Sequence, residues 1–150
     1  MDMNHILIVE DDKDIREAVA IYLKSQGYEV FQAGDGIEGL EMLEREEIHL
    51  AIVDIMLPRM DGITMTMKLR EKHDFPVIML SAKSEEVDKV MGLNIGADDY
   101  VTKPFTPMEL MARVNSQMRR YKRFMEKLQQ KEQENTDTIY TMGGLELNES

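Results

Sequence analysis

The chain has 150 residues, with 18 lysines and arginines against 29 aspartates and glutamates, a net charge of −11. That length holds one ordinary domain plus an appendage, and the acidic balance repels nucleic acid and anionic membranes. Cysteine is absent, which excludes disulfides, thiolate catalysis and cysteine-based zinc sites. The opening Met1-Asp2-Met3-Asn4-His5 has no basic region and does not read as a signal peptide. No apolar run approaches the roughly 18 residues of a membrane span, so no membrane partner and a cytoplasmic setting are expected. Ile6-Leu7-Ile8-Val9 is a β-branched run that predicts a buried strand. Asp12 or Asp14 can cap a first helix carrying Ile15, Val19, Tyr22 and Leu23, and Gly27 ends it. A second strand follows over residues 28–33. Gly34-Asp35-Gly36 then turns into a second helix bearing Ile37, Leu40 and Leu43.

The alternation continues. Leu50-Ala51-Ile52-Val53 predicts a third strand, residues 58–62 a loop and residues 63–72 a third helix. Pro76-Val77-Ile78-Met79-Leu80 predicts a fourth strand, residues 85–95 a fourth helix, and Tyr100-Val101-Thr102 a short fifth strand. A fifth helix begins near Pro107, a residue suited to a first helical turn. Continuous apolar strands separated by helices imply a parallel sheet covered on both faces. Five such units predict an α/β fold, a flavodoxin-like doubly wound sheet with strand order 2-1-3-4-5. Right-handed crossovers place the C-terminal ends of strands one and three side by side, where a site belongs.

Beyond Arg119 the composition shifts. Residues 119–132 hold six basic and two acidic side chains, a local +4. Met111, Val114, Met118, Tyr121, Met125 and Leu128 recur in a coiled-coil-like rhythm. The favoured account packs the first three on the sheet and leaves the rest on a solvated linker. The sharper alternative extends the fifth helix past Arg120 to pair with a second protomer. Residues 138–147 read as two strand fragments around Gly143-Gly144. The organisation expected is a domain over 1–120, a helical or polar linker over 121–137, and the start of something further over 138–150.

Acidic residues gather at the predicted strand ends: Glu10-Asp11-Asp12 after strand one and Asp54 after strand three. Asp98 and Asp99 precede their strand and are set apart from this group. Any one of these acids can be a helix cap or turn former. Their convergence is harder to explain that way, because two carboxylates about 4 Å apart repel by roughly 4 kcal/mol at an effective dielectric of about 20. Bringing Glu10, Asp11 and Asp54 together calls for a cation. A hard divalent ion such as Mg²⁺ suits oxygen ligands plus an incoming phosphoryl group. Lys103 supplies a fixed positive charge and Ser81 a hydroxyl, a set suited to phosphoryl transfer onto a carboxylate.

With these residues the chain resembles a bacterial response-regulator receiver domain, from Ile6 to about Arg120. The motifs are Glu10-Asp11, Asp54 with Pro58 and Asp61-Gly62, Ser81-Ala82, Gly96-Ala97-Asp98-Asp99-Tyr100, and Lys103-Pro104-Phe105. The resemblance implies that Asp54 is the phospho-acceptor for a sensor histidine kinase. It implies Mg²⁺ held by Asp11, Asp54 and the backbone carbonyl of Met56, with Glu10 acting mainly through a metal-bound water. Lys103 pairs with the phosphoryl oxygens, and Ser81 and Tyr100 form the switch pair; the family often has Thr where Ser81 stands. The bond before Pro104 is implied to be cis, aiming Lys103 into the site. Met56 and Lys83 fall where the family tunes hydrolysis of the acyl phosphate. The kinase docking surface is expected around Ile15 and residues 104–106.

Gly96-Ala97-Asp98-Asp99-Tyr100 with Glu109-Leu110 and Ala112-Arg113-Val114 is similar to the OmpR/PhoB subfamily. That likeness implies a homodimer on phosphorylation through the fourth helix, fifth strand and fifth helix. Its ion pairs carry over as Lys89 with Glu109, Asp99 with Arg113, and Asp98 with Arg120. The tail resembles the opening strands of a winged-helix DNA-binding domain, so transcription control through a following domain is expected; a stand-alone relay receiver shares every site residue. The chain is thus read as a signalling switch that catalyses only its own modification. An aspartyl-phosphate phosphatase needs a second acid two residues after the nucleophile, and position 56 is Met. A flavin carrier fails because Glu10-Asp11-Asp12 repels its phosphate. His5, His49 and His73 lie away from the site and are read as structural.

Overall fold

A computed structural model describes residues 3–82 and 95–146, with side chains described as far as residue 132. Five strands form one parallel sheet: β1 His5–Val9, β2 Glu29–Ala33, β3 Leu50–Asp54, β4 Val77–Ser81 and β5 Asp99–Thr102. Their order is β2-β1-β3-β4-β5, the order expected from the sequence. Among the described residues, three helices alternate with them, α1 Lys13–Ser25, α2 Gly36–Arg45 and α3 Gly62–Arg70, and a C-terminal helix spans Pro107–Glu146. The helix expected over residues 85–95 lies, but for its last residue, outside the described residues, and Lys83 and Lys89 with it.

The apolar runs become buried strands for a simple reason. Strands β3 and β4 are buried at every position, and Ile6, Leu7, Ile8 and Val9 of β1 are wholly inaccessible. A strand covered on both faces gains by being apolar throughout. The starts of α1, α2 and α3 are each set by an aspartate. Asp12 accepts from the amides of Asp14 and Ile15, Asp35 from Glu38, and Asp61 from Thr64. Each cap satisfies an otherwise orphaned amide and contributes about 1 kcal/mol. Gly27 adopts a φ of 91° just past the end of α1, where a side chain would be strained.

By compactness the chain divides into residues 1–118 and residues 119–150. Within the first unit, Leu110, Met111, Val114 and Met118 of the C-terminal helix are buried with the strands and α1. In the second unit the helix continues, and Phe124 and Leu128 are exposed. Residues 138–146 are helical, where the sequence reading expects strand fragments. A two-stranded piece is marginal without a sheet to join, whereas a helix satisfies its backbone within itself. Among the described residues, no helix is long and apolar enough to cross a membrane.

Candidate phosphoryl-transfer site

The parallel sheet points every strand's C-terminal end the same way, and the acids collect there. Asp54 is the last residue of β3 and is 3% exposed. Glu10 follows β1 and is wholly buried, and Asp11 beside it is exposed. One carboxylate oxygen from each of Glu10, Asp11 and Asp54 lies within 4.8 Å of the others. The loop after β3 is seated by backbone packing. The Gly62 amide donates to the Ile55 carbonyl at 2.9 Å, and a Cβ at Gly62 would collide with the Asp54 carbonyl oxygen.

Lys103 is the counter-charge. Its Nζ donates to Asp54 Oδ2 at 2.6 Å and lies 2.7 Å from Glu10 Oε1. It leaves the end of β5 through a backbone bond from its amide to the Ser81 carbonyl at 2.7 Å, and the Lys103-Pro104 peptide is cis, as the resemblance implies. The second oxygens are held by backbone: Asp54 Oδ1 accepts from the Met56 amide at 2.9 Å, and Glu10 Oε2 from the Asp12 amide at 3.1 Å. Burial pushes the Glu10 carboxyl up to about 7, against the lowering pull of Lys103 and with the neighbouring Asp54 adding to the rise. Burial works to lower the Lys103 ammonium, but its bonds to Asp54 and Glu10 outweigh this and hold it above its ordinary value.

A divalent cation fits these donors. Glu10 Oε1 is buried, and beyond Lys103 Nζ at 2.7 Å no donor meets it among the described residues, which leaves it able to accept a ligand. The donors are all oxygens, the preference of a hard ion such as Mg²⁺, and Lys103 pairs with two of the three carboxylates, Glu10 and Asp54.

Of the other expected residues, Ser81 ends β4, fully buried, and Tyr100 lies in β5 opposite Met79, partly buried. Burial, with the charges of Asp98 and Asp99, raises the Tyr100 phenol above its ordinary value. Met56 is 64% exposed at the rim. Asp98 and Asp99 sit at the entry to β5, at the opposite end of the sheet from the acids. Asp99 Oδ1 accepts from Arg113 at 2.6 Å, and Glu109 lies 3.8 Å from the same guanidinium. Asp98 accepts from Arg70 at 2.7 Å within the chain. The histidines fall away from the site as expected, with the His5 amide donating to His49 Nδ1 at 3.1 Å.

Three arginines that no sequence motif marks also support the loops around the sheet. Arg16 Nη1 donates to the Glu10 carbonyl at 2.8 Å and its Nε to Gln32 at 3.2 Å, steadying the backbone under the buried acid. Arg59 sits in the loop after β3 at a φ of 64° and makes a two-pronged pair with Asp35, both bonds 3.0 Å. Arg70, the last residue of α3, donates to the carbonyls of Gly96, His73 and Phe75 and to Asp98. Helical spacing hints at Arg16, which lies on α1 four residues after Asp12. Nothing in the sequence marks Arg59, because its conformation is one that glycine usually supplies. Beside the site, a cavity of about 500 Å³ is lined by Ile15, Tyr22, Pro104, Phe105, Leu110 and Met111.

A family model for the response regulator receiver domain matches residues 6–115. The regulatory protein VanR of Enterococcus faecium is 55% identical over 119 residues, covering 79% of this chain and 52% of that protein. VanRc of Enterococcus gallinarum is 47% identical over 119 residues, with the same coverage of 79% and 52%. The chain therefore spans about half the length of the curated relatives it matches. Among solved structures, the receiver domain of the Francisella response regulator 1452 superposes with a TM-score of 0.72 at 36% identity, covering 78% of this chain and 98% of that one. The chemotaxis response regulator CheY4 of Vibrio cholerae gives 0.72 at 30% identity, covering 77% and 99%.

Proposed function

The chain belongs to the response regulator receiver domain family, and on that premise we propose that it is a phosphorylation-driven switch with Asp54 as acceptor. An Asp54 carboxylate oxygen attacks the phosphorus of a histidine kinase's phosphohistidine. The new O–P bond makes an acyl phosphate, the N–P bond breaks, and its electron pair returns to the imidazole. Positioning and charge neutralisation do most of such work. Glu10, Asp11, Asp54 and the Met56 carbonyl would hold Mg²⁺, which supplies neutralising charge for the phosphoryl oxygens. Lys103 releases Asp54 and turns its ammonium to the incoming oxygens, and the Ser81 hydroxyl donates to them. The observation that carries this reading is Lys103 Nζ set 2.6 Å from Asp54 and 2.7 Å from Glu10, a tethered cation already aimed at the acceptor.

A phosphoryl group brings about −1.5 to −2 charge. Drawing Ser81 and Lys103 toward it, with Tyr100 turning inward, biases the face that carries Lys89, Asp98, Asp99, Glu109, Arg113 and Arg120 toward self-association. The motifs of this face support membership of the OmpR/PhoB subfamily. Domain assignments follow from that reading: a receiver over 1–120, a linker over 121–137, and over 138–150 the start of a winged-helix domain whose strands form once their sheet is present. DNA binding and transcription control belong to that further domain, and the setting is cytoplasmic. The apolar cavity containing Ile15 and Phe105 lies against Lys103 and supports docking of the kinase there.

Incubation with acetyl phosphate and Mg²⁺, followed by intact-mass and peptide mass spectrometry, tests the central claim. One phosphoryl group on residue 54, lost in Asp54→Ala, is expected. An unmodified Asp54 refutes the proposal.

A further inference from the structure

The loop between β3 and α3 carries the Met56 carbonyl and is pinned at its base. Ile55 donates its amide to the Leu80 carbonyl at 2.9 Å and accepts the Gly62 amide at 2.9 Å. Just inside that base, the Met56 amide holds Asp54 Oδ1 at 2.9 Å. At the tip the Met60 amide turns back to the Pro58 carbonyl at 2.7 Å, and Arg59 between them has a φ of 64°. Among the described residues, Arg59 is the one residue other than glycine with a positive φ.

The tip is fastened to a different element. Arg59 Nε and Nη2 each donate to a carboxylate oxygen of Asp35 at 3.0 Å. Asp35 is the N-cap of α2 and also accepts the Glu38 amide at 2.8 Å. Among the described residues, no other hydrogen bond or ion pair joins residues 57–60 to another element. Gly36 lets the loop come this close, since a Cβ there would stand 2.5 Å from the Met60 carbonyl oxygen. Stability alone does not account for an arginine here. A side chain at a positive φ is strained, and a pair whose arginine is 57% exposed returns little. A two-pronged pair does fix direction as well as distance, so what Arg59 supplies is position.

We propose that Arg59 is a positioning residue for the divalent-cation site: by gripping Asp35 it holds the loop tip against α2 and so fixes the backbone at Met56, whose carbonyl is a metal ligand and whose amide orients the Asp54 carboxylate. Groups that steady metal ligands from outside the coordination sphere raise affinity by restricting what else the ligands can do. This deepens the function proposed above and rests on it, through the Met56 carbonyl, for the metal arm only.

Two measurements on the full chain test it, with Arg59→Gly and Asp35→Asn combined. Glycine accepts the φ of Arg59 without strain, asparagine keeps the helix cap, and the double variant leaves the net charge unchanged, so only the tether is lost. In the metal-free chain, amide hydrogen exchange at Met56, read by NMR, is expected to speed about threefold. Unchanged exchange overturns the tether. The second measurement titrates Mn²⁺ as the probe for Mg²⁺, with the free ion counted by electron paramagnetic resonance. The double variant is expected to bind about threefold more weakly than the parent, within what an exposed pair can contribute. An unchanged or tighter constant overturns the positioning role. A pair that served stability alone would lower the urea midpoint and leave both readings where they were. Asp11→Asn is expected to weaken Mn²⁺ binding about tenfold or more, which ties the titration to this pocket. If the parent binds no Mn²⁺, or Asp11→Asn binds it equally well, the cation reading fails, while the exchange measurement still decides the tether. Should the double variant not fold, Arg59→Gly alone takes its place in both arms. Its unpaired Asp35 favours a cation, so weaker binding then counts the more, and unchanged exchange still overturns the tether.

Discussion

Glu10 keeps a proton to about 7 because its burial, with Asp54 beside it, outweighs the compensation from Lys103 and the Asp12 amide. Its ordinary value is 4.5, so the folded chain binds that proton more tightly than the unfolded one. The resulting stabilisation is complete below about 4.5 and is lost as pH rises through about 7. His73 acts in the opposite sense, since burial lowers its imidazole and the fold resists its charging as pH falls. The difference between parent and Glu10→Gln therefore isolates the carboxyl. In thermal melts with chelator present, the parent is expected to lose stability relative to Glu10→Gln between pH 5 and 7 (about the span the shift covers). A constant difference across that range removes the argument. Gly62 makes a second residue-scale prediction. Its Cβ has no room against the Asp54 carbonyl, so Gly62→Ala should cost about 1–3 kcal/mol in urea unfolding and slow phosphorylation by displacing the acceptor. Glu10, Asp54 and Lys103 were legible in the sequence because charged residues ending apolar runs are conspicuous. Arg59 was not, because a long cationic side chain in a left-handed turn has no sequence signature.

At the level of elements, the strands were the most readable part. A run such as Val77-Ile78-Met79-Leu80 has one stable destination, a strand buried on both faces. Caps were readable to within a choice, and geometry chose Asp12 over Asp14 for α1. Residues 138–146 are helical rather than strand fragments, because the strand character of Ile139-Tyr140-Thr141 needs a sheet to join, while helical bonds need none. The loop between β3 and α3 was readable as a loop but not in what secures it. Arg59 stores about 1 kcal/mol or more in its backbone and offsets it through the two-pronged bond to Asp35. Arg59→Gly relieves the strain and loses the pair, so its stability should stay within about 1 kcal/mol of the parent. Arg59→Ala keeps the strain and loses the pair, so it should have the lowest urea midpoint of the three. An Ala variant as stable as the parent would show that the pair contributes nothing.

For the molecule as a whole, every residue of the proposed phosphoryl site lies between positions 10 and 103, inside the unit that ends at residue 118. The second unit carries the basic stretch and the exposed Phe124 and Leu128. A chain cut after Arg120 is therefore expected to be phosphorylated by acetyl phosphate at the parent's rate, measured by quenched-flow mass spectrometry; a large loss would place part of the machinery beyond the cut. The arrangement of charge inside the first unit has a practical side. With three acids and one tethered ammonium, the proposed pocket would act as a miniature ion-exchange resin, loading from whatever bath surrounds it. Because bound ligand adds to stability with the logarithm of its concentration, a trace of carried-over chelator is enough to make two otherwise identical batches melt at different temperatures.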